Sequence, residues 1–117
     1  MQRALDVLII DDDPLITRAL ARVMRGQHRV RLAEELGQAL ALLEERTPDV
    51  VLCDFRMGAL TAAGFLRTVR ARWPHVRLVL HSASQAELWH ELLRDGTIDR
   101  AVVKPATVED LLASLIA

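Results

Sequence analysis

The stretch of sequence that decides the fold is VLIIDDDP, at residues 7–14. Its four apolar residues are mostly β-branched, and they predict a short strand that is buried on both faces. Three aspartates follow at once. Pro14 suits the first turn of a helix, for which Asp13 would be the N-cap. The stretch therefore predicts a strand, an acidic turn and a helix in direct succession, which is typical of an α/β protein.

The same arrangement recurs three more times along the chain. Residues 50–53 run into Asp54, residues 78–80 into His81 and Ser82, and residues 101–103 into Lys104. The carboxyl ends of parallel strands share one edge of a sheet, and open α/β sheets bind their ligands outside that edge. We therefore expect acidic groups, a hydroxyl and a lysine to converge there. Such a set is suited to hold a divalent cation and a phosphoryl group.

Five apolar runs alternate with five segments of helical period, which predicts a parallel sheet with helices on both faces. The second strand, over residues 28–33, alternates as a strand with one wetter face would. Residues 57–63 lack periodicity and predict a longer loop. The first helix is predicted over residues 14–25, with a buried stripe formed by Leu15, Ile16, Ala19, Leu20, Val23 and Met24. Thr107 is the predicted N-cap of the last helix.

The composition excludes several classes of protein. Fifteen basic and sixteen acidic residues leave a net charge of −1, which gives no electrostatic argument for binding to nucleic acid or to a membrane. The one cysteine, Cys53, lies inside an apolar run and is expected to be a buried small side chain. Neither a signal pattern nor a stretch of membrane-spanning length is present. The expectation is a cytoplasmic domain formed by residues 1–117.

The acidic residues carry the predicted chemistry. Asp11, Asp12 and Asp54 would repel one another if they met without a cation, and Mg²⁺ is the usual hard cation for such a site. Beside a metal, Asp54 is a candidate nucleophile that forms an aspartyl phosphate. Lys104 and Ser82 would then hold the remaining phosphoryl oxygens.

Simpler structural roles exist for some of these residues. Asp13 is well explained as a helix cap alone, and Ser82 by itself could be a turn or cap residue. His81 has no cysteine or second histidine near it, so we expect it to pack or hydrogen-bond locally and not to bind a metal.

In these residues, in this order and at this spacing, the chain resembles the receiver domain of two-component response regulators. The resemblance lies in residues 7–14, in the strand that ends at Asp54, in HSA at residues 81–83 and in VVKP at residues 102–105. A narrower resemblance lies in DFRM at residues 54–57 and RDGTIDR at residues 94–100. It points to receivers attached to HD-GYP output domains and to hydrogenase regulators.

The resemblance implies a flavodoxin-like, doubly wound fold, with a five-stranded sheet of order 2-1-3-4-5 flanked by five helices. It implies that Asp54 is the phosphoacceptor, that Asp11, Asp12, Asp54 and the backbone carbonyl of Arg56 bind Mg²⁺, that Ser82 is the switch hydroxyl, and that Lys104 pairs with the phosphate. It also implies a cis peptide bond between Lys104 and Pro105.

The resemblance further implies partners. The phosphoryl group would come from a sensor histidine kinase or a phosphotransfer protein, and the domain would catalyse only its own phosphorylation and dephosphorylation. A covalently attached output domain and a homodimer through the fourth helix, fifth strand and fifth helix are expected of such receivers. Arg94, Asp99 and Arg100 offer charges on that face for paired contacts.

Two positions depart from the family pattern. Ala101 stands where receivers usually carry Tyr or Phe, and Gly58 follows Met57 where proline is usual. These departures keep open an alternative, in which a degenerate receiver serves as a constitutive dimerisation or docking module. Trp89, on the fourth predicted helix, is either a core residue or an exposed anchor for a partner.

A third hypothesis is a small phosphatase of the haloacid-dehalogenase type, whose nucleophile would be Asp11. The pattern disfavours it because Pro14 interrupts the expected motif, no acidic pair follows Lys104, and no cap domain is present.

Overall fold

A computed structural model of the protein describes residues 3–54, 59–82, 87–104 and 106–116. Within those ranges strands and helices alternate strictly. The elements are β1 (Asp6–Ile10), α1 (Pro14–Met24), β2 (Arg29–Ala33), α2 (Leu36–Glu45), β3 (Val50–Asp54), α3 (Ala59–Arg72), β4 (Arg77–Ser82), α4 (Glu87–Arg94), β5 (Arg100–Val103) and α5 (Val108–Ser114). None of these helices has the length and hydropathy of a segment that crosses a bilayer.

The five strands form one parallel sheet in the order β2-β1-β3-β4-β5. The predicted α/β fold is therefore confirmed. Strands β1 and β3 lie at the centre and are buried over their whole length, whereas the edge strand β2 is only partly buried. In the register of the sheet Ile10 pairs with Cys53, and Asp54 pairs with His81. The polar residues that end these strands consequently lie at one edge of the sheet.

Alternate residues of the strands enter two hydrophobic clusters, one on each face of the sheet. The first cluster joins Leu8, Ile10, Val51, Cys53, Leu78 and Leu80 to side chains of α2, α3 and α4. The second joins Val7, Ile9, Val50, Leu52 and Val79 to Met24 of α1, to Leu111 of α5 and to Leu115, which directly follows α5. Because helices cover both faces, the central strands must be apolar throughout. This is why their sequences show no polar alternation.

Two helices next to the polar edge begin where the sequence predicts. The backbone N–H of Leu15 donates to Asp13 Oδ1 at 3.0 Å, with Pro14 at the start of α1. Thr107 and Asp110 form a capping box, in which each side chain accepts from the other's backbone N–H at 3.0 and 3.1 Å. These bonds satisfy N–H groups that a helix N-terminus leaves unpaired, and they fix the starts of α1 and α5.

The predicted buried stripe of α1 is partly wrong. Leu15 is 76% exposed and Val23 is 42% exposed, whereas Thr17 and Met24 are buried. The hydroxyl of Thr17 donates to backbone carbonyls of the preceding turn, so this polar residue is satisfied on the inner face of the helix. The predicted stripe omitted Thr17 and Ala21, which are both buried, and it therefore lay roughly a quarter of a turn away from the buried face. The side chain of Ile16 lies outside the described part of the structure.

Helix α3 begins earlier than predicted. Part of the loop expected over residues 57–63 is helical, because α3 starts at Ala59; residues 57 and 58 lie outside the described ranges. Ala62 and Ala63 are buried in the cluster of the α2, α3 and α4 face. Alanine has the highest helix propensity but adds little to an apolar periodicity. That combination explains why the pattern missed the first turns of α3.

Asp6, in β1, anchors a network at the amino-terminal edge of the sheet. Its buried carboxylate accepts hydrogen bonds from Arg31 Nη2 at 3.2 Å and from Arg46 Nε at 2.7 Å. Arg31 also donates to the backbone carbonyls of Leu42 and Arg46, both at 2.8 Å, where α2 ends. Two guanidinium groups thus compensate for the burial of one carboxylate. The network ties β1 and β2 to the end of α2.

Replacing this carboxylate should destabilise the fold. We expect Asp6→Ala to lower the free energy of unfolding by about 2–4 kcal/mol, because it leaves Arg31 largely buried without its charge partner. Urea unfolding followed by circular dichroism measures the loss. Arg3→Ala is the control, because it removes only an exposed ion pair with Asp49 and should cost less than about 1 kcal/mol. Equal small losses in the two variants would show that the network does not stabilise the fold.

Candidate functional site

Acidic residues from two adjacent strands meet at the carboxyl edge of the sheet. Asp11 follows β1 and Asp54 ends β3, and each is 2% exposed. Asp12 is exposed beside them. Carboxylate oxygens of all three residues lie within 4.8 Å of one another. Across the described part of the chain, this is the group of acidic, histidine and cysteine side chains that is arranged to hold a metal ion.

The geometry of this group fits a small hard cation. Mg²⁺ takes oxygen ligands at about 2.0–2.1 Å in an octahedron, so that its ligand oxygens lie about 3 to 4.2 Å apart. The three carboxylates meet this requirement with only small side-chain rotations, because their oxygens already lie within 4.8 Å of one another. A ligand set made of oxygen alone favours Mg²⁺ over zinc or copper. The predicted backbone ligand, the carbonyl of Arg56, lies outside the described residues.

The three consecutive aspartates have different positions in the turn between β1 and α1. Asp11 accepts a hydrogen bond from the backbone N–H of Asp13 at 2.9 Å. Its own N–H donates to the carbonyl of Ala33, at the end of β2, at 3.0 Å. Asp13 caps α1, and Asp12 lies between them on the solvent side. The turn therefore directs one carboxylate inward, uses one as a cap, and leaves one at the rim of the cluster.

Lys104 supplies a positive charge to the site. Its Nζ donates to Asp54 Oδ2 at 2.9 Å, with the lysine side chain 18% exposed. The backbone N–H of Lys104 donates to the carbonyl of Ser82 at 2.7 Å, which joins the ends of β4 and β5. The ammonium group thereby offsets the charge of a deeply buried acid, and it ties the edge strand β5 to the centre of the sheet.

Ser82 lies at the same edge as the acids. It ends β4, one residue beyond His81, which pairs in register with Asp54. Ser82 and His81 are both buried. In the described part of the chain, His81 does not belong to the group of side chains that could hold a metal. Pro105 lies outside the described residues, so the cis bond before it stays a prediction.

The neighbour of Asp54 on β3 is Cys53, which is fully buried as the sequence predicts. Burial, together with the negative charges of Asp54 and Asp11, raises the pKa of its thiol to about 12. The thiol is therefore neutral at physiological pH and adds no further negative charge to the site. The sequence indicates the burial of Cys53, but its proximity to the carboxylates follows only from the folded chain.

This raised pKa predicts how Cys53 reacts. In the folded protein the thiol should resist iodoacetamide at about pH 8.5, because the thiolate is the reactive form. The stability associated with the neutral thiol is present below its ordinary pKa of 9.0 and is lost as the pH rises toward the folded pKa of about 12. Mass spectrometry with and without denaturing urea measures the labelling. Rapid labelling of the folded protein would contradict the prediction.

Comparison with known proteins identifies relatives over nearly the whole chain. The family model of the response regulator receiver domain matches residues 7–116. The hydrogenase transcriptional regulatory protein HoxA of Cupriavidus necator is 34% identical over 107 residues, which cover 91% of this chain and 22% of HoxA. The transcriptional regulatory protein ZraR of Escherichia coli O157:H7 is 34% identical over 113 residues, 95% of this chain and 25% of ZraR. The chain thus spans about a quarter of the length of these relatives.

Solved structures share the fold. The signal receiver domain of an HD domain-containing protein from Pseudomonas fluorescens Pf-5 aligns with a TM-score of 0.86 at 22% identity, over 97% of this chain and 92% of that one. The matching family is not that of a haloacid-dehalogenase-type phosphatase, so that hypothesis is set aside. The chain belongs to the receiver-domain family of two-component response regulators.

Proposed function

We propose that this chain is the phosphoacceptor module of a two-component phosphorelay and that Asp54 is its phosphorylated residue. The donor is a sensor histidine kinase or a phosphotransfer protein in the cytoplasm. The observation that carries the proposal is a buried aspartate that pairs with Lys104 and lies within 4.8 Å of two further acids. The chemistry is confined to the chain itself, as uptake of a phosphoryl group on Asp54 and its later hydrolytic loss.

The arrangement explains how Asp54 accepts the group. A carboxylate oxygen of Asp54 attacks phosphorus in line and forms an acyl phosphate. The bond between phosphorus and the donor's imidazole nitrogen breaks, and its electron pair stays with the imidazole. Lys104 Nζ lies 2.9 Å from Oδ2 of the same carboxylate, so a small movement transfers its hydrogen bond to a phosphoryl oxygen. The hydroxyl of Ser82 donates to another phosphoryl oxygen.

Charge explains why the site needs a cation. Three carboxylates and an incoming phosphoryl group carry more negative charge than Lys104 can offset. Bound Mg²⁺ would neutralise part of the charge on the phosphoryl oxygens. Asp11, Asp12 and Asp54 would hold it, together with the backbone carbonyl of Arg56 that the family resemblance implies.

The outer face of α1 supports a protein as the donor. Leu15, Ala19 and Val23 are exposed at four-residue spacing and form an apolar ridge, and the exposed Arg18 and Arg22 lie beside it. Ridges of this spacing pack into the grooves of a second helix. Because α1 begins directly after the acidic turn, a donor helix on this face would bring its phosphorylated histidine close to Asp54.

We also propose a covalently attached output domain, because the chain spans about a quarter of the transcriptional regulators HoxA and ZraR.

A homodimer through α4, β5 and α5 stays a proposal. Arg94 and Arg100 are exposed on that face. The expectation that Asp99 offers a contact between subunits stays a proposal; within the chain its Oδ2 accepts from Arg70 Nη2 at 2.7 Å and from the N–H of Leu78 at 2.8 Å. We assign this domain no role in nucleic-acid or membrane binding.

Intact-mass measurement tests the acceptor. Acetyl phosphate with Mg²⁺ is expected to add one phosphoryl group to the protein, because Asp54 is the buried acid beside both the other carboxylates and Lys104. The addition should disappear in Asp54→Asn and without Mg²⁺. Undiminished uptake by Asp54→Asn would place the acceptor elsewhere. Failure of the folded wild-type protein to take up the group would favour the alternative of a degenerate docking module.

Two neighbouring aspartates provide a matched test of metal binding. We expect Asp12→Asn to weaken Mg²⁺ binding about tenfold or more, because it removes an anionic ligand. Asp13→Asn removes the same charge from the next residue, but asparagine is an equally good helix cap. Its Mg²⁺ affinity should fall by no more than a few-fold, through long-range electrostatics alone. Isothermal titration calorimetry compares the two, and equal losses would show that Asp12 is not a ligand.

A further inference from the structure

The two tryptophans of the chain have different surroundings. Trp89 of α4 is 8% exposed and belongs to the hydrophobic cluster of the α2, α3 and α4 face. The hypothesis that Trp89 is a core residue is thereby confirmed, and the exposed-anchor alternative is wrong. Trp73, which directly follows α3, is half-buried; it packs against the same cluster and also lines a cavity at the surface. An aromatic side chain in such a position is a candidate ligand-binding surface.

The cavity lies at the amino-terminal edge of the sheet, where the chain passes from α2 to β3 and from α3 to β4. It is lined by residues 47–49 of the first connection and residues 72–76 at the second. Its volume of about 430 Å³ falls in the range of small-molecule sites, roughly 300–1,000 Å³. Pro48 and Val76 are buried and give it, together with Trp73, an apolar wall.

The acid in the wall of this cavity is already paired. Asp49 Oδ1 accepts a hydrogen bond from Arg3 Nη2 at 3.1 Å, and Asp49 Oδ2 accepts from the backbone N–H of Asp6 at 2.8 Å. Each carboxylate oxygen therefore has a donor from the segment that leads into β1. Because these bonds already engage the carboxylate, the cavity is poorly suited to bind a cation.

Arg72 and His75 bring hydrogen-bond donors to the cavity. Both are exposed, and the Arg72 guanidinium lies over the Trp73 ring, 4.4 Å from the ring centroid. Arg72 Nη1 donates to Glu44 Oε1 at 3.1 Å, in an ion pair whose side chains are both about half exposed. Exposed pairs of this kind are weak, and a guanidinium carries further N–H groups. An incoming anion can therefore compete with Glu44.

These walls select the chemistry of a ligand. A guanidinium binds a carboxylate through two parallel hydrogen bonds, and both guanidinium and indole groups stack on flat rings. A phosphate monoester would bring more than one negative charge, which Arg72 alone does not balance. We propose that the cavity formed by residues 47–49 and 72–76 binds a small aromatic carboxylate. Its carboxylate pairs with Arg72, and its ring packs against Trp73 and Pro48.

This site is separate from the phosphorylation site. Residue 49 directly precedes β3 and Asp54 ends that strand, so the two sites lie about 16 Å apart along β3. The inference therefore does not rest on the proposed function of Asp54. The Asp54→Asn variant should bind the aromatic carboxylate as the wild type does, whether or not the protein takes up a phosphoryl group.

Three ligands with the same ring test the inference. Benzoate is titrated into the isotope-labelled protein and followed by amide NMR spectra, with benzamide and phenyl phosphate in parallel. Benzoate should cause saturable shifts centred on residues 47–49 and 72–76 and on the Trp73 indole N–H, with a Kd in the low millimolar range or below. Benzamide has no charge and should bind about tenfold more weakly. Shifts centred elsewhere, no saturation, or equal binding of benzamide would overturn the inference, and tighter binding of phenyl phosphate would overturn the carboxylate as the ligand class.

Two arginines of α3 provide matched variants. Arg72→Met keeps an unbranched side chain beside Trp73 but removes the charge, and it should weaken benzoate binding about tenfold. Arg67→Met removes an exposed arginine that pairs with Asp95 at 3.4 Å outside the cavity, and it should change the affinity by no more than about twofold. Equal effects of the two variants would show that Arg72 does not bind the carboxylate.

The competing acid gives a test with the opposite sign. Glu44→Gln removes the partner of Arg72 and should tighten benzoate binding about two- to threefold, because the guanidinium is released from an exposed ion pair. Circular dichroism checks that each variant is folded. Weaker binding by folded Glu44→Gln would contradict the competition between Glu44 and the ligand and would overturn the assigned role of Arg72.

Discussion

The ion pair between Lys104 and Asp54 is the interaction on which the chemistry and much of the architecture depend. A carboxylate that is 2% exposed is costly to bury without compensation, and the ammonium group 2.9 Å away provides it. The pair also spans the sheet, because it links the central strand β3 to the edge strand β5. In the proposed function, the oxygen that accepts the hydrogen bond of Lys104 belongs to the carboxylate that attacks phosphorus. Phosphorylation would then rearrange a contact that stabilises the resting state, which is what a reversible switch requires.

The amino-terminal and carboxyl edges of the sheet differ in how their buried carboxylates are paired with positive charges. At the amino-terminal edge Asp6 is matched by two arginines, one of which also closes the end of α2. That network pairs the buried carboxylate with two positive charges and serves stability, although the buried Nε of Arg31 has no hydrogen-bond partner in the described part of the chain. At the carboxyl edge three carboxylates lie within 4.8 Å of one another, beside the ammonium group of Lys104. Three carboxylates gathered beside one ammonium group are suited to bind a cation, whereas two guanidinium groups around one carboxylate compensate for its burial.

The packing around the site depends on which helix or strand carries each large side chain. On the face covered by α2, α3 and α4, the hydrophobic cluster combines small residues such as Ala62 and Ala63 with the large side chain of Trp89 from α4, and Ala101 of β5 packs against it. Arg70 braces the same side, since it donates to the carbonyls of Thr97, Pro74 and Val76 and to Asp99. These hydrogen bonds link α3 to the segments that precede β4 and β5.

Local pattern in the chain was enough to predict the strands, the helix caps at Asp13 and Thr107, and the convergence of Asp11, Asp12, Asp54, Ser82 and Lys104 at one edge. Strand burial and cap chemistry are set by neighbouring residues, and parallel topology places strand ends together. The family resemblance added the strand order. The folded chain alone decided the buried face of α1, the start of α3, the commitment of Asp99 to Arg70, and the raised pKa of Cys53. Each of these features depends on hydrogen bonds or packing that hydrophobic periodicity does not detect. Examples are a threonine whose hydroxyl is hydrogen-bonded to the backbone, small alanines that pack against the core, and charges that come together from distant segments of the chain.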